Sequence, residues 1–218
     1  MLHDKDIREP LFDYLDETFG KTRVMEEKMM GRSRADVIMV IEDAVVGIEI
    51  KSDADTYTRL KTQIKDYDRY FDYNFIVVGT AHAGHVKEHV PEHWGIITVE
   101  EVDGKPDFYM YREAILNNKA EILKKMELLW RPELAMLQEK YGMPKYAYLG
   151  KDKVRAKIAG FMEDNLNILN HDISELLFER DYDKMLADIA AYRKAANPRR
   201  RGPKQSTRVR RIRKKAGK

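Results

Sequence analysis

The chain has 218 residues, 43% hydrophobic and 35% charged, which is enough for one mid-sized globular domain or a domain with an appendage. It contains no cysteine, which excludes disulfides, thiolate zinc sites and thiol catalysis and leaves oxygen or imidazole as the only metal ligands. The net charge of +3 conceals an asymmetry: residues 197–218 carry eleven Lys/Arg and no acid, leaving 29 basic and 37 acidic residues over 1–196, a net of −8.

Residues 4–19 place Ile7, Leu11, Leu15 and Phe19 four apart with Phe12 beside them, an apolar helical stripe that Gly20 closes. The acidic, amphipathic start has neither the positive head nor the apolar run of a signal peptide. An extended piece at 22–29 leads to the basic turn Gly31-Arg32-Ser33-Arg34. The runs ADVIMVI (35–41) and VVGIEI (45–50), joined by Glu42-Asp43-Ala44, predict a β-hairpin. A helix is expected to start near Asp53–Asp55 and run to about Tyr70, burying Leu60, Ile64, Tyr67 and Phe71. Strands follow at 75–79 and 95–99, with a short helix at 82–89 between them, and Asp103-Gly104 turns into a strand at 108–111.

Beyond 113 the pattern is helical, at 114–130, 133–141, 151–164 and 172–194. The expected organisation is thus an α/β core over 1–113, a helical domain over 114–196 and a disordered basic tail over 197–218. No stretch approaches the roughly 18 apolar residues of a membrane span, so a cytoplasmic protein without membrane partners is expected.

Asp36 falls on the first hairpin strand, and Glu49 and Lys51 on the second. Strand side chains alternate, so Glu49 and Lys51 share one face while Ile48 and Ile50 enter the core. Two carboxylates converging with an ammonium are costly to desolvate unless a divalent cation joins them. A hard oxygen donor set with water left over suits Mg²⁺, with Mn²⁺ as a substitute. A bare acid-x-Lys pattern is commonly just a surface salt bridge, so its context decides its weight.

That context resembles the PD-(D/E)xK nuclease superfamily, the restriction-endonuclease-like fold with an αβββαβ core and a mixed central sheet. Arg34-Ala35-Asp36 stands for the first motif, with Ala35 where the motif has proline, and Glu49-Ile50-Lys51 for the second. Gln63-Ile64-Lys65-Asp66-Tyr67 is similar to the Q-h-x-x-Y motif of RecB-type nucleases, with Gln63 and Tyr67 one helical turn apart. The run from Gly47 to Asp72 also looks like a small bacterial and phage family of this superfamily, and residues 1–80 carry the whole resemblance.

The resemblance implies a metal-dependent DNA endonuclease or related enzyme of DNA repair or recombination. Asp36, Glu49 and the Ile50 carbonyl would hold Mg²⁺, Lys51 would position water or phosphate, and Gln63 and Tyr67 would support them. It also implies an acid on the first helix, for which Glu9 is the candidate and Asp6, Glu26 and Glu27 compete. Duplex or branched DNA is the expected partner. A homodimer is one expected assembly, because a duplex offers two strands to cut.

Arg34 is expected to contact DNA phosphates, and Arg59 and Lys65 either do the same or pair with nearby acids. In the tail, Arg199, Arg200, Arg201, Arg208, Arg210, Arg211, Arg213, Lys214 and Lys215 are expected to bind DNA through its phosphates. The tail has no aromatic residue, so stacking on bases is not its means. The alternative from another class is a non-catalytic nucleic-acid-binding protein that keeps the nuclease fold. His82, His85, His89 and His93 are expected to form a surface helix with pH-sensitive charge rather than a metal site.

Overall fold

A computed structural model of the chain describes residues 2–181 and, beyond them, 184, 186, 187, 190 and 191. Met1–Arg180 form one compact unit and Asp181–Lys218 a second. The expected basic tail, with Arg199 to Lys215, lies outside the described residues.

The first unit is built on a six-stranded mixed sheet in the order β1 (Arg23–Met30), β2 (Ser33–Ile41), β3 (Ala44–Lys51), β4 (Tyr73–Gly79), β5 (Gly95–Val102) and β6 (Lys105–Arg112). The first two pairings and the last are antiparallel, while β3, β4 and β5 run parallel. This is the α/β fold with a mixed central sheet, followed by a helical region, that the sequence predicts.

Helix α1 (Asp4–Phe19) buries Ile7, Leu11 and Leu15 completely, as the four-residue spacing requires. They pack on Val37, Met39, Ile48 and Ile50, the side chains of β2 and β3 that alternate onto that face. Helix α2 (Leu60–Tyr70) covers the opposite side of β3, so β3 is buried along its whole length. A strand covered on both faces has nowhere to place a charge cheaply, which isolates Glu49 and Lys51 as a built feature.

Four expected elements differ. Helix α2 starts at Leu60, not near residue 53, because the acids that resemble its cap are used elsewhere. Asp55 accepts from the Ser52 amide (2.9 Å) and hydroxyl (2.6 Å), and Asp53 accepts from the Ala81 amide (3.0 Å). The expected helix at 82–89 is two single turns, α3 (Thr80–Ala83) and α4 (Val86–His89).

The expected helix at 114–130 is mostly a strap. Its Ile115, Asn117 and Glu121 amides donate to the carbonyls of His93, Asp72 and Arg69, and the Asn117 side chain donates to the carbonyls of Asp68 and Phe71, 2.7 Å each. The bonds of Asn117 and Glu121 finish the C-terminal end of α2, a tertiary task that outweighs local helix preference. Only α5 (Ile122–Lys125) and a following single turn are helical in that stretch.

The remaining helices of the first unit are α6 (Arg131–Lys140), α7 (Lys151–Phe161) and α8 (Leu166–Phe178), and α8 packs against β2 and β3. Residue 113 therefore marks where the sheet gives way to helices within one compact unit. The expected helix at 172–194 breaks after Phe178, where Arg180 turns inward to a wholly buried ion pair with Glu133 (2.7 Å). In the second unit, residues 184, 186, 187, 190 and 191 are helical. Among the described residues, no helix is long and apolar enough to cross a membrane.

Candidate functional site

The pairing of β2 with β3 ends at Val37 opposite Ile48. Beyond that point β3 continues beside β4 as far as Lys51 opposite Val78, so β2 and β3 splay apart. Asp36 occupies the first position past the split. Its Oδ2 accepts the Ile50 amide at 3.0 Å, and its own amide donates to the Tyr67 hydroxyl at 3.3 Å. Backbone polarity released by the splay is thereby satisfied, and Asp36 is brought beside Glu49.

Glu49 is wholly buried. Its Oε1 accepts from the Lys51 ammonium and the Gln63 amide, and its Oε2 from the Tyr67 hydroxyl at 2.8 Å. Three donors, one of them charged, offset much of the cost of removing the carboxylate from water. Gln63 and Tyr67 reach it together because they lie one turn apart on α2. Gly47 allows that approach: a Cβ there would stand 2.2 Å from the Phe71 ring and 2.7 Å from the Tyr67 ring.

Electrostatics differ sharply within the cluster. Burial and the neighbouring Glu49 charge push the Asp36 carboxyl up to about 7, against the Ile50 amide, Lys51 and Arg8, which pull it down. Burial, reinforced by the Glu49 and Asp36 charges, holds the Tyr67 phenol well above its ordinary value, so it acts as a neutral hydrogen-bond donor. The Gln63 Oε1 is buried without a hydrogen-bond partner.

A cleft of about 310 Å³ opens beside this centre, lined by Arg32, Arg34, Arg59, Thr62, Gln63 and Asp36 among others. Arg34 pairs with Glu27 at 3.3 Å. Lys65 is exposed on α2 and does not line the cleft.

A family model described as bacteriophage P4 protein cII matches residues 2–193. The chain belongs to this family. No curated protein matches it. Among solved structures, this P4 cII family member is similar to the one titled "The structure of Pyrococcus Furiosus SfsA in complex with Ca2+", with 14% identity, a TM-score of 0.31, and coverage of 51% of this chain and 60% of that one.

The sequence-predicted residues of this cII family member divide clearly. Asp36, Glu49, Lys51, Gln63 and Tyr67 meet in one hydrogen-bonded cluster. Glu9 does not join it: that side of α1 is exposed, and the preceding residue, Arg8, turns toward the site instead. Arg8 donates to the Asp36 carbonyl at 3.1 Å, lies 3.7 Å from its carboxylate, pairs with Asp4 at 2.7 Å, and comes within 3.6 Å of Glu26. Asp6 accepts the His3 amide at the start of α1, and Glu27 is taken by Arg34. Of the four candidate acids, Glu26 alone shares a partner with Asp36.

Arg8 escaped the sequence reading because an arginine one place from a sought acid carries no signal until the helix direction is known. The histidines also separate. His82 and His89 flank Tyr57, with ring centroids 4.8 and 4.2 Å away, and His93 bonds Asp68 at 2.9 Å. Among the described residues, the grouping with metal-ligand spacing is instead His171, Asp172 and Glu175, where Asp172 is already held by Lys140 and Tyr141.

Proposed function

We propose that this P4 cII family member is a PD-(D/E)xK nuclease that hydrolyses phosphodiester bonds of DNA with the help of Mg²⁺ or Mn²⁺. The observation that carries the reading is the wholly buried Glu49, held by Lys51, Gln63 and Tyr67 beside Asp36 where β2 and β3 part. A wholly buried acid beside a half-buried one, with this much built support, is difficult to explain as surface charge or ordinary packing.

The residues present fit a hard divalent cation. The donors are all oxygen: the Asp36 carboxylate, the Glu49 carboxylate and the Ile50 carbonyl. The Asp36 carboxyl stays raised to about 7 by burial and by Glu49 in spite of Lys51 and Arg8, so a divalent cation would supply the charge that holds it ionised. The unpartnered Gln63 Oε1 would accept a hydrogen from water held in the site. When bound, the ion would neutralise charge on the scissile phosphate and acidify a water. On this reading Lys51 moves from Glu49 to the attacking water or a phosphate oxygen. Tyr67 and Gln63 keep Glu49 oriented, and Arg8 holds Asp36 from the other side.

The rival is a nucleic-acid-binding protein that retains the fold without catalysis. The Lys51–Glu49 contact favours it to the extent that the ammonium already satisfies the acid. Titration calorimetry with Mn²⁺ and Mg²⁺ separates the two. The nuclease reading expects one divalent site per chain, lost in Asp36→Ala and at least tenfold weaker in Glu49→Gln. Heat absent from the wild type, or unchanged in Asp36→Ala, would support the rival.

A further inference from the structure

The two walls of the cleft beside Asp36 are locked together by contacts that have nothing to do with the carboxylate cluster. Asp66 on α2 accepts the Arg32 amide at 3.2 Å and the Ser33 hydroxyl at 2.6 Å, and the Gly31 amide donates to the Tyr70 hydroxyl at 3.0 Å. Gly31 has φ +55°, and a Cβ there would stand 2.8 Å from the Asp66 carboxylate. The turn between β1 and β2 is thus fixed against α2 through its backbone and Ser33, which leaves the Arg32 side chain to the cleft beside the Glu27-paired Arg34.

Arg59 immediately precedes the facing helix, whose first turn contains no acid. Among the described residues, neither Arg32 nor Arg59 has an ion-pair partner, whereas Arg34 beside them is paired with Glu27. Three arginines line this opening in a body that carries a net charge of −8 over residues 1–196.

We propose that Arg32 and Arg59 form a phosphate subsite that grips the phosphodiester next to the one lying at Asp36 and Glu49. Forked guanidinium donors from opposite walls suit a tetrahedral anion. The subsite reads backbone and not base, so it gives register along the strand without sequence preference. The proposal rests on the nuclease reading for the identity of its ligand, but binding and cleavage can be separated experimentally.

The test uses the full chain, a fluorescein-labelled 12-nucleotide DNA as single strand and as duplex, and EDTA so that no cleavage occurs. Arg32→Ala/Arg59→Ala is compared with Lys105→Ala/Lys153→Ala, which removes the same charge from exposed positions outside the cleft. Loss of one phosphate contact lowers the slope of log affinity against log salt by about 0.7 to 0.9. The arginine variant should show that reduction and bind about tenfold more weakly at low salt, while the lysine variant stays within about twofold of wild type.

Equal effects of the two variants, or no change in the arginine variant, would overturn the subsite. In Mg²⁺ the arginine variant should raise KM with kcat nearly unchanged, since it touches positioning and not chemistry. If the arginine variant binds weakly as expected and the wild type cleaves nothing in Mg²⁺, the subsite stands and the nuclease reading fails. If the wild type cleaves and the arginine variant matches it in KM and salt slope, the subsite fails alone.

Discussion

Glu49 and Asp36 lie side by side yet are treated differently by their surroundings. Glu49 is enclosed by three side-chain donors, whereas Asp36 has one backbone amide at 3.0 Å and an arginine at 3.7 Å. The deficit appears as the carboxyl's rise from 3.8 to about 7. An acid whose value is raised on folding contributes no penalty while protonated in both states, below about 4. The penalty grows as pH rises and is complete above about 7, where it reaches up to about 4 kcal/mol for a shift of this size. Asp36→Asn removes the ionisable group while keeping an acceptor for the Ile50 amide. In EDTA the variant should therefore melt several degrees above wild type at pH 8 and at nearly the same temperature at pH 4. Saturating Mg²⁺ should close the gap at pH 8 by stabilising the wild type alone. A wild type that gains stability from pH 5 to pH 8 relative to Asp36→Asn, without metal, would contradict this account of the site.

At the scale of elements, the site depends on how closely α2 rests on β3. Gly47 has no special backbone conformation, so its requirement is for space alone. Gly47→Ala forces the Phe71 and Tyr67 rings away, and overpacking of this kind costs about 1–3 kcal/mol. It should lower the unfolding free energy measured by urea titration by that amount. It should also weaken Mn²⁺ binding by moving Tyr67 and Gln63 off Glu49, although residue 47 touches no ligand; unchanged metal affinity would show that α2 does not position the acid. The sequence made this layer legible where one local pattern governs it. The four-residue stripe of α1, the β-rich runs around Glu42-Asp43, and the Gln63–Tyr67 spacing each report a face that the fold does bury. It was silent where distant partners decide. The acids at 53 and 55 resemble a helix cap but tie down a loop, and 113–121 has helical composition but serves as the strap whose Asn117 closes α2. Arg8 and Arg32 likewise gain meaning only from the direction of α1 and the Asp66 anchor, neither of which a local pattern encodes.

For the whole molecule, charge separates into an acidic body and a basic end. Residues 1–196 carry a net of −8, and the eleven basic residues from 199 onward reverse the total to +3. The family match ends at 193, before that basic run. An acidic body repels DNA at long range, so on the proposed function approach would depend on cations: the arginines of the cleft, the basic run, and a metal held at Asp36 and Glu49. Rates measured on this chain should therefore fall as salt rises, even where the chemical step is unaffected. The central claim of the proposed function is metal-assisted phosphodiester cleavage. The direct measurement is cleavage by the full chain at low salt on end-labelled duplex, nicked, branched and single-stranded DNA, with Mg²⁺ or Mn²⁺ and then EDTA, beside Glu49→Gln and Lys51→Ala. The account predicts EDTA-sensitive cleavage of at least one of these DNAs by the wild type, reduced at least about a hundredfold in each variant while thermal unfolding remains cooperative. No EDTA-sensitive cleavage of any of the four, or cleavage by Lys51→Ala at the wild-type rate, would contradict it.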